Sequence, residues 1–359
     1  MLKSACRAYL PHLRCDRCES PLQVGTRSEY SPRTGSLMKS GKRSRPLCGS
    51  CNAAVRAAKW DADLIELQQH RDRVTGALER LHHSTKPVDF SKLSYVQTCL
   101  LYSALVAADA GLDDRKIPPI DAQTMALAPT AELTDDIYTR LYTDRILLPA
   151  LSSDRHAWSL NEGTGVVTFS IRAGAWTLAD DVSGRSMDEI FSLLFQRLDR
   201  PEPKGIEELW YLVAEDECKR YFASQCERYQ FIHPGIYSLK VSTAIRHYLD
   251  RCSIGQMWNI IYYAVKNLAA LAQEGTYTRQ HIYNMLPGSI RRCAEYRLAK
   301  YEEIHPWRRP PATTESWITS VLLDKVLKGG GLSFETLKGR DVVGYVEGLL
   351  ANPADPAST

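Results

Sequence analysis

Two Cys-x-x-Cys pairs constrain this chain more than any other feature. Cys15 and Cys18 lie in "CDRCESPL", and Cys48 and Cys51 lie in "RPLCGSCNAAVRAAKW", with 29 residues between the pairs. Two intervening residues let a tight turn aim both sulfurs at one point. Two such turns supply four thiolates, the donor set of a tetrahedral zinc site with Zn–S of about 2.3 Å. The set is closed and leaves no position for water, so the expected cofactor is one structural Zn2+ ion. The surrounding segment is too small to bury a core of its own. Metal binding, about 10–16 kcal/mol at such sites, would supply its folding free energy. Gly49 is expected to ease a close backbone approach in the second turn.

The layout around the thiols has a direction. The first pair forms a knuckle, "LQVGT" reads as a strand, and "RPL" returns as a second short strand. The second pair opens a long helix over about 52–83, with Ile65, Leu67, Val74, Leu78 and Leu81 at near-helical spacing. Knuckle, hairpin and a helix carrying two ligands in its first turn resemble a treble-clef zinc finger over about residues 12–65. That resemblance implies a zinc module and leaves the function open, because treble clefs serve nucleic-acid binding, protein binding and nuclease chemistry. In the His-Asn-His nucleases of this fold the hairpin carries a catalytic histidine. Here no histidine lies between Cys18 and Cys48, and His12 and Asn52 do not replace it.

Charge gives the module a candidate ligand. The chain carries a net +3, but residues 1–59 hold twelve Lys/Arg against three Asp/Glu, a surplus of +9 that leaves −6 for the remainder. Between the pairs stand Arg27, Arg33, Lys39, Lys42, Arg43 and Arg45 against Glu29 alone. Gly35 and Gly41 suggest a flexible loop. Such a loop can neutralise phosphates with little sequence choice; a solvated loop would carry the same charges. "SGKRSR" is not a phosphate loop, since Ser36 stands where glycine is needed and Arg43 where Ser/Thr is needed.

Beyond Pro87, a first boundary, "SYVQTCLLYSALVAADAG" reads as a helix and "DAQTMALA" as a short one. "DDIYTRLYTDRILL" reads as a third helix capped by Thr134. "HAWSL" and "GVVTFSIR" read as a hairpin. Three helices and a hairpin resemble a winged helix-turn-helix. Arg140 and Arg145 on its third helix are offset by Asp135, Asp136 and Asp144, so packing or protein contact is expected rather than groove reading. From 187 onward the pattern is helical. Ser186 is a candidate cap, "PEPKG" a linker, and "SIGQMWNIIYYAVKNLAALAQEG" a central core helix. Thr278 and Ser289 are expected to cap two helices joined at Pro287 in a helix-turn-helix-like pair. Seven Lys/Arg face three Glu over 277–309, among them Arg279, Arg291 and Arg292, interleaved with Tyr283, Tyr296, Tyr301 and Trp307. This is the second candidate polyanion surface.

The expected class is therefore mainly α (α+β). A zinc module with a basic loop spans 1–65 and continues into a helix to about 83. A winged-helix-like segment follows at 88–185, a helical domain at 186–350 and a tail at 351–359. No run of about 18 apolar residues spans a membrane. The opening "MLKSACRAYLPHLRC" lacks the apolar core of a signal peptide. The ten cysteines, mostly isolated, read as reduced thiols, so a cytoplasmic protein is expected. Cys218, Cys226 and His233 do not make a second metal site, because the cysteines stand more than two helical turns apart. No catalytic motif survives inspection. The leading expectation is a nucleic-acid-associated protein that contacts the phosphate backbone. The alternatives are a protein-interaction scaffold, such as a subunit of a bacterial defence or mobile-element complex, and a cryptic metal-dependent hydrolase built from scattered carboxylates.

Overall fold

A computed structural model describes residues 8–24, 30–31, 36–39, 42–43, 47–109, 115–161, 164, 167–230, 239–275, 277–301, 303–310 and 313–351. The chain divides into two compact units, 1–76 and 77–359, and it is mainly helical.

In the first unit, β1 (Ala8–Arg14) pairs antiparallel with β2 (Pro21–Val24), and the first Cys-x-x-Cys forms the turn between them. β1 is absent from the sequence reading because Pro11 and the basic residues hide its alternation. The partner expected for β2, "RPL", is not a strand at Leu47, and Arg45 and Pro46 lie outside the described residues. The basic stretch, expected as a loop, forms a ribbon instead: β3 (Tyr30–Ser31), β4 (Ser36–Lys39) and β5 (Lys42–Arg43) pair in the order β3-β4-β5. Helix α1 (Gly49–Ser84) follows and runs on past residue 76.

The second unit is organised around one continuous hydrophobic cluster that reaches from Phe90 to Val346. The boundary expected at 185/186 falls inside this cluster. Helix α2 (Tyr95–Ala107) is buried on nearly every side, and Ser94 and Gln97 cap it reciprocally. The short helix expected at "DAQTMALA" is only a 3-10 turn at Ile120–Ala122. Strand β6 (Lys116–Ile117) precedes that turn, and α3 (Ala131–Thr143) and β7 (Leu147–Pro149) follow it. The expected hairpin is β8 (Trp158–Leu160) with β9 (Val167–Phe169). β10 (Trp176–Leu178) then enters between β6 and β7 to make a three-stranded sheet.

Thr130, not Thr134, caps α3, so the helix starts earlier than its acidic pair Asp135–Asp136 suggested. The Thr130 hydroxyl accepts from Leu133 N (3.2 Å), and Thr130 N and Oγ1 donate to the two carboxylate oxygens of Asp216 at 2.9 and 2.8 Å. That long-range carboxylate selects Thr130 over the local signal.

Helix α4 (Met187–Leu198) has Ser186 as the expected cap, with Glu189 closing the box. α5 (Pro203–Arg228), α6 (Leu239–Leu249) and α7 (Ile254–Gln273) follow, and α7 is the buried central helix anticipated from its composition. Tyr221 of α5 stacks on Trp258 of α7 with centroids 4.4 Å apart and planes 9° from parallel.

Helix α8 (Arg279–Lys300) begins at its Thr278 cap and contains Pro287 in its interior. The expected break does not occur. Ile282, Leu286, Ile290 and Ala294 keep one face buried on both sides of the proline. Ser289 donates to Ala264 O of α7 at 3.1 Å instead of capping a new helix. Burial of that face offsets the lost hydrogen bond and the ring clash, roughly 3 kcal/mol. The last elements are α9 (Trp317–Ser320), running into a π-helical turn at Val321–Val326, then α10 (Gly330–Thr336) and α11 (Val342–Ala351).

A buried carboxylate ties this end of the chain to α5. Glu217, with no solvent exposure, accepts from Arg220 Nη2 (2.7 Å), Arg309 Nη2 (3.0 Å) and Thr319 Oγ1 (2.8 Å). Removing it leaves two guanidinium groups without their buried partner, so Glu217→Ala is expected to cost about 3–5 kcal/mol in denaturant unfolding. Its neighbour Asp216 behaves differently. Burial pushes the Asp216 carboxyl from 3.8 up to about 6 against the opposing Thr130 hydrogen bonds. A raised folded-state value favours the protonated form, so this group's contribution is full below about pH 4 and is lost as pH rises through 6. The change is up to roughly 3 kcal/mol. Asp216→Asn is expected to flatten the stability profile across that window, measured as the difference from the parent chain at each pH.

Candidate metal centre

The four cysteines converge. The Sγ atoms of Cys15, Cys18, Cys48 and Cys51 all lie within 4.8 Å of one another, and Cys18 and Cys48 are 3.5 Å apart. A tetrahedral ion with Zn–S of about 2.3 Å requires sulfurs about 3.8 Å apart. The donor set therefore fits such an ion with only a small contraction. Among the described residues this is the only group of three or more side chains placed to hold a metal.

Local chemistry shapes both halves. After Cys15 the chain turns back so that Cys15 N donates to Ser20 O (3.0 Å) and Glu19 N donates to Cys15 O (2.9 Å). Glu19 adopts a left-handed φ of 59° to close that turn. On the other side Asn52 N donates to Cys48 O at 2.9 Å, so Cys48 stands at the start of α1 and Cys51 in its first turn. Gly49 is not forced by crowding, since a Cβ there would meet nothing within 4 Å. Its expected role in close approach is not seen.

The thiols do not titrate alike. The Ser50 hydroxyl, 3.1 Å from Cys48 Sγ, and then the Cys51 N–H pull Cys48 down to about 5.

 The same proximity pushes Cys51 up to about 12, chiefly through its hydrogen bond with Cys18, and lowers Cys15 through a backbone bond at Cys48. The lowering at Cys48 and the raising at Cys51 are linked, because closely spaced sulfurs compete for the same protons. Four thiolates this close cannot all carry charge without a cation, which is the role a metal ion would fill.

The expected phosphate contacts fall on and around the ribbon. Lys39 and Lys42 face each other across β4 and β5, and Arg43 pairs with Met38. Arg27, Arg33 and Arg45 lie outside the described residues.

The second basic surface is smaller than its composition suggested. Arg308 pairs with Glu335 (3.2 Å), and Arg309 belongs to the Glu217 cluster. Arg279 opens α8, and Arg291 and Arg292 are exposed on it. Arg292, Tyr296 and Lys300 follow at four-residue intervals, which puts them on one face of the helix. Lys300 Nζ donates to the Tyr296 hydroxyl at 2.7 Å and lies 5.5 Å from the Tyr301 ring. The Arg297 guanidinium sits 3.9 Å from the Tyr263 ring. Spacing alone identified these residues, but not which cations were already taken by buried carboxylates.

Other sequence candidates settle into structural roles. Cys218 and Cys226 are buried core thiols, the latter pushed up to about 12 by desolvation, and His233 lies outside the described residues. On α3, Arg140 pairs with Asp136 and Arg172 with Asp135, both at 3.0 Å. No helix among the described residues is long and apolar enough to cross a membrane. The chain matches no family model, no curated protein and no solved structure.

Replacing either Cys18 or Cys51 by serine is expected to abolish tight binding of a single zinc ion per chain, read by metal analysis after dialysis. Affinity should fall as pH is lowered, because protons compete for the same sulfurs. Stripping the ion with a chelator should open residues 8–76 to limited proteolysis; an unchanged digestion pattern would contradict a structural role.

Proposed function

We propose that this chain is a nucleic-acid-associated protein whose N-terminal zinc module presents basic residues to the phosphate backbone. The observation that carries the reading is the coincidence of the four-sulfur cluster with the +9 segment. A metal that fixes the chain on either side of the basic ribbon would limit the entropy lost when Lys39, Lys42 and Arg43 meet phosphates. We assign zinc as the ion because four sulfurs in a closed set suit it best. The order of knuckle, strands and ligand-bearing helix supports a treble-clef-like module. The exposed Arg291, Arg292, Tyr296 and Lys300 of α8 make a second surface suited to the same ligand.

The segment around α2, α3 and the β8–β9 hairpin has a 3-10 turn at Ile120–Ala122 where a winged helix would carry its second helix. Its third helix spends its arginine on its own carboxylate, so we assign it to packing or protein contact. The scaffold reading draws support from the acidic body and from large apolar side chains exposed on α1. The hydrolase reading has no carboxylate cluster to rest on among the described residues.

Fluorescence anisotropy with short labelled DNA and RNA tests the proposal. Binding should weaken steeply as salt rises, with log affinity linear in log salt. Replacing Lys39, Lys42 and Arg43 together by glutamate should lower the slope by about 2 to 3. No binding at low salt, or an unaltered slope in the triple variant, would defeat it.

A further inference from the structure

Cations and tyrosine rings alternate across α7 and α8. Lys300 Nζ lies 5.1 Å from the centroid of the Tyr296 ring and 5.5 Å from that of Tyr301. The Arg297 guanidinium carbon lies 5.8 Å from the Tyr301 ring and 3.9 Å from the Tyr263 ring. Each separation is within reach of a cation–π contact. The ladder therefore runs Tyr296, Lys300, Tyr301, Arg297, Tyr263, and Arg292 stands one turn before Tyr296 on the same face of α8. Tyr296 is 58% exposed and Tyr301 42%, so both rings keep open surface with the cations against them.

The charge on this face is unspent. α7 and α8 together hold six Lys/Arg and a single acid, Glu295, whose carboxylate accepts from the Tyr248 hydroxyl at 3.1 Å. Among the described residues no carboxylate forms an ion pair with Lys266, Arg291, Arg292, Arg297 or Lys300, whereas Arg140, Arg172, Arg220 and Arg309 of the same unit each have one. Free cations beside open ring faces suit a ligand that brings both phosphates and flat apolar surfaces. A duplex keeps its base faces in its own stack and offers this ladder phosphates alone. A single strand offers both. An acidic peptide would pair with the cations and leave the rings in water.

We propose that the α7–α8 face binds single-stranded nucleic acid in preference to duplex, with bases stacked on Tyr296 and Tyr301 and the backbone held by Arg292 and Lys300. The inference rests on the nucleic-acid reading above and adds to it the strandedness of the ligand and the rings that select it. Every base has a π-face, so the choice is of strandedness and carries little sequence preference. The basic ribbon of the first unit has no such ladder among its described residues and meets phosphates of either form.

Fluorescence anisotropy of the zinc-loaded full chain tests it, with three labelled probes of about 12 nucleotides: oligodeoxythymidine, oligouridine and a mixed-sequence DNA duplex. At equal salt at least one single strand should bind about tenfold or more tightly than the duplex, and the tighter of the two names the sugar the face accepts. Tyr296→Ala with Tyr301→Ala should weaken single-strand binding at least about tenfold and leave duplex binding and the salt slope unchanged, because a stacking contact is lost and no phosphate contact is. Tyr296→Phe with Tyr301→Phe keeps the rings and should bind single strands like the parent. Circular dichroism should be unchanged in both variants, since both tyrosines are exposed. Equal affinity for all three probes would overturn the inference and leave the nucleic-acid reading intact. So would an alanine variant that binds single strands like the parent, or a phenylalanine variant as weak as the alanine one. Binding to none of the probes would defeat both.

Discussion

Four sulfurs drawn within 4.8 Å of one another can share a metal ion, which would hold the first unit in place. That unit has little else to fold around. Its described buried apolar side chains before α1 are Cys15 and Leu22, and strands of two to seven residues cannot supply much cooperative stability. The sulfurs close a long loop, and the cost of closing it grows only slowly with length. A short turn on one side and a helix start on the other are therefore enough to confine everything between them. On the proposed reading, the basic ribbon depends on that confinement.

The second unit has the opposite character. Its stability comes from the dense packing of α5, α7 and α8 and from buried polar clusters such as the one around Glu217. Glu217 and Asp216 are adjacent and both buried, yet their chemistry diverges. Glu217 meets two arginines and a threonine, and Asp216 meets Thr130 and is pushed toward its neutral form by burial. Arginines that looked like surface charge in the sequence are drawn into such clusters, so composition overstated the basic surface near α8.

What could be read in advance follows from how local the signals are. Cys15, Cys18, Cys48 and Cys51 were legible because ligand spacing is a short-range rule. The Ser186 cap with Glu189, the Thr278 cap and the apolar α7 were legible for the same reason. The start of α3 was not, because Asp216, 86 residues away, chooses Thr130. Pro287 misled because burial on both sides of it outweighs a local helix breaker. The β6-β10-β7 sheet was invisible, since each strand has only two or three residues and the partners come from distant segments. The apolar stripe on α1 was partly visible in the near-helical spacing of Ile65, Leu67, Val74, Leu78 and Leu81. Its division into buried and exposed parts needed the fold.

The cluster of sulfurs therefore carries the account, and X-ray absorption at the zinc edge addresses it most directly. The purified chain should give a first shell of four sulfurs at about 2.3 Å and no lighter scatterer. A shell containing nitrogen or oxygen, or a chain that takes up no zinc, would contradict it.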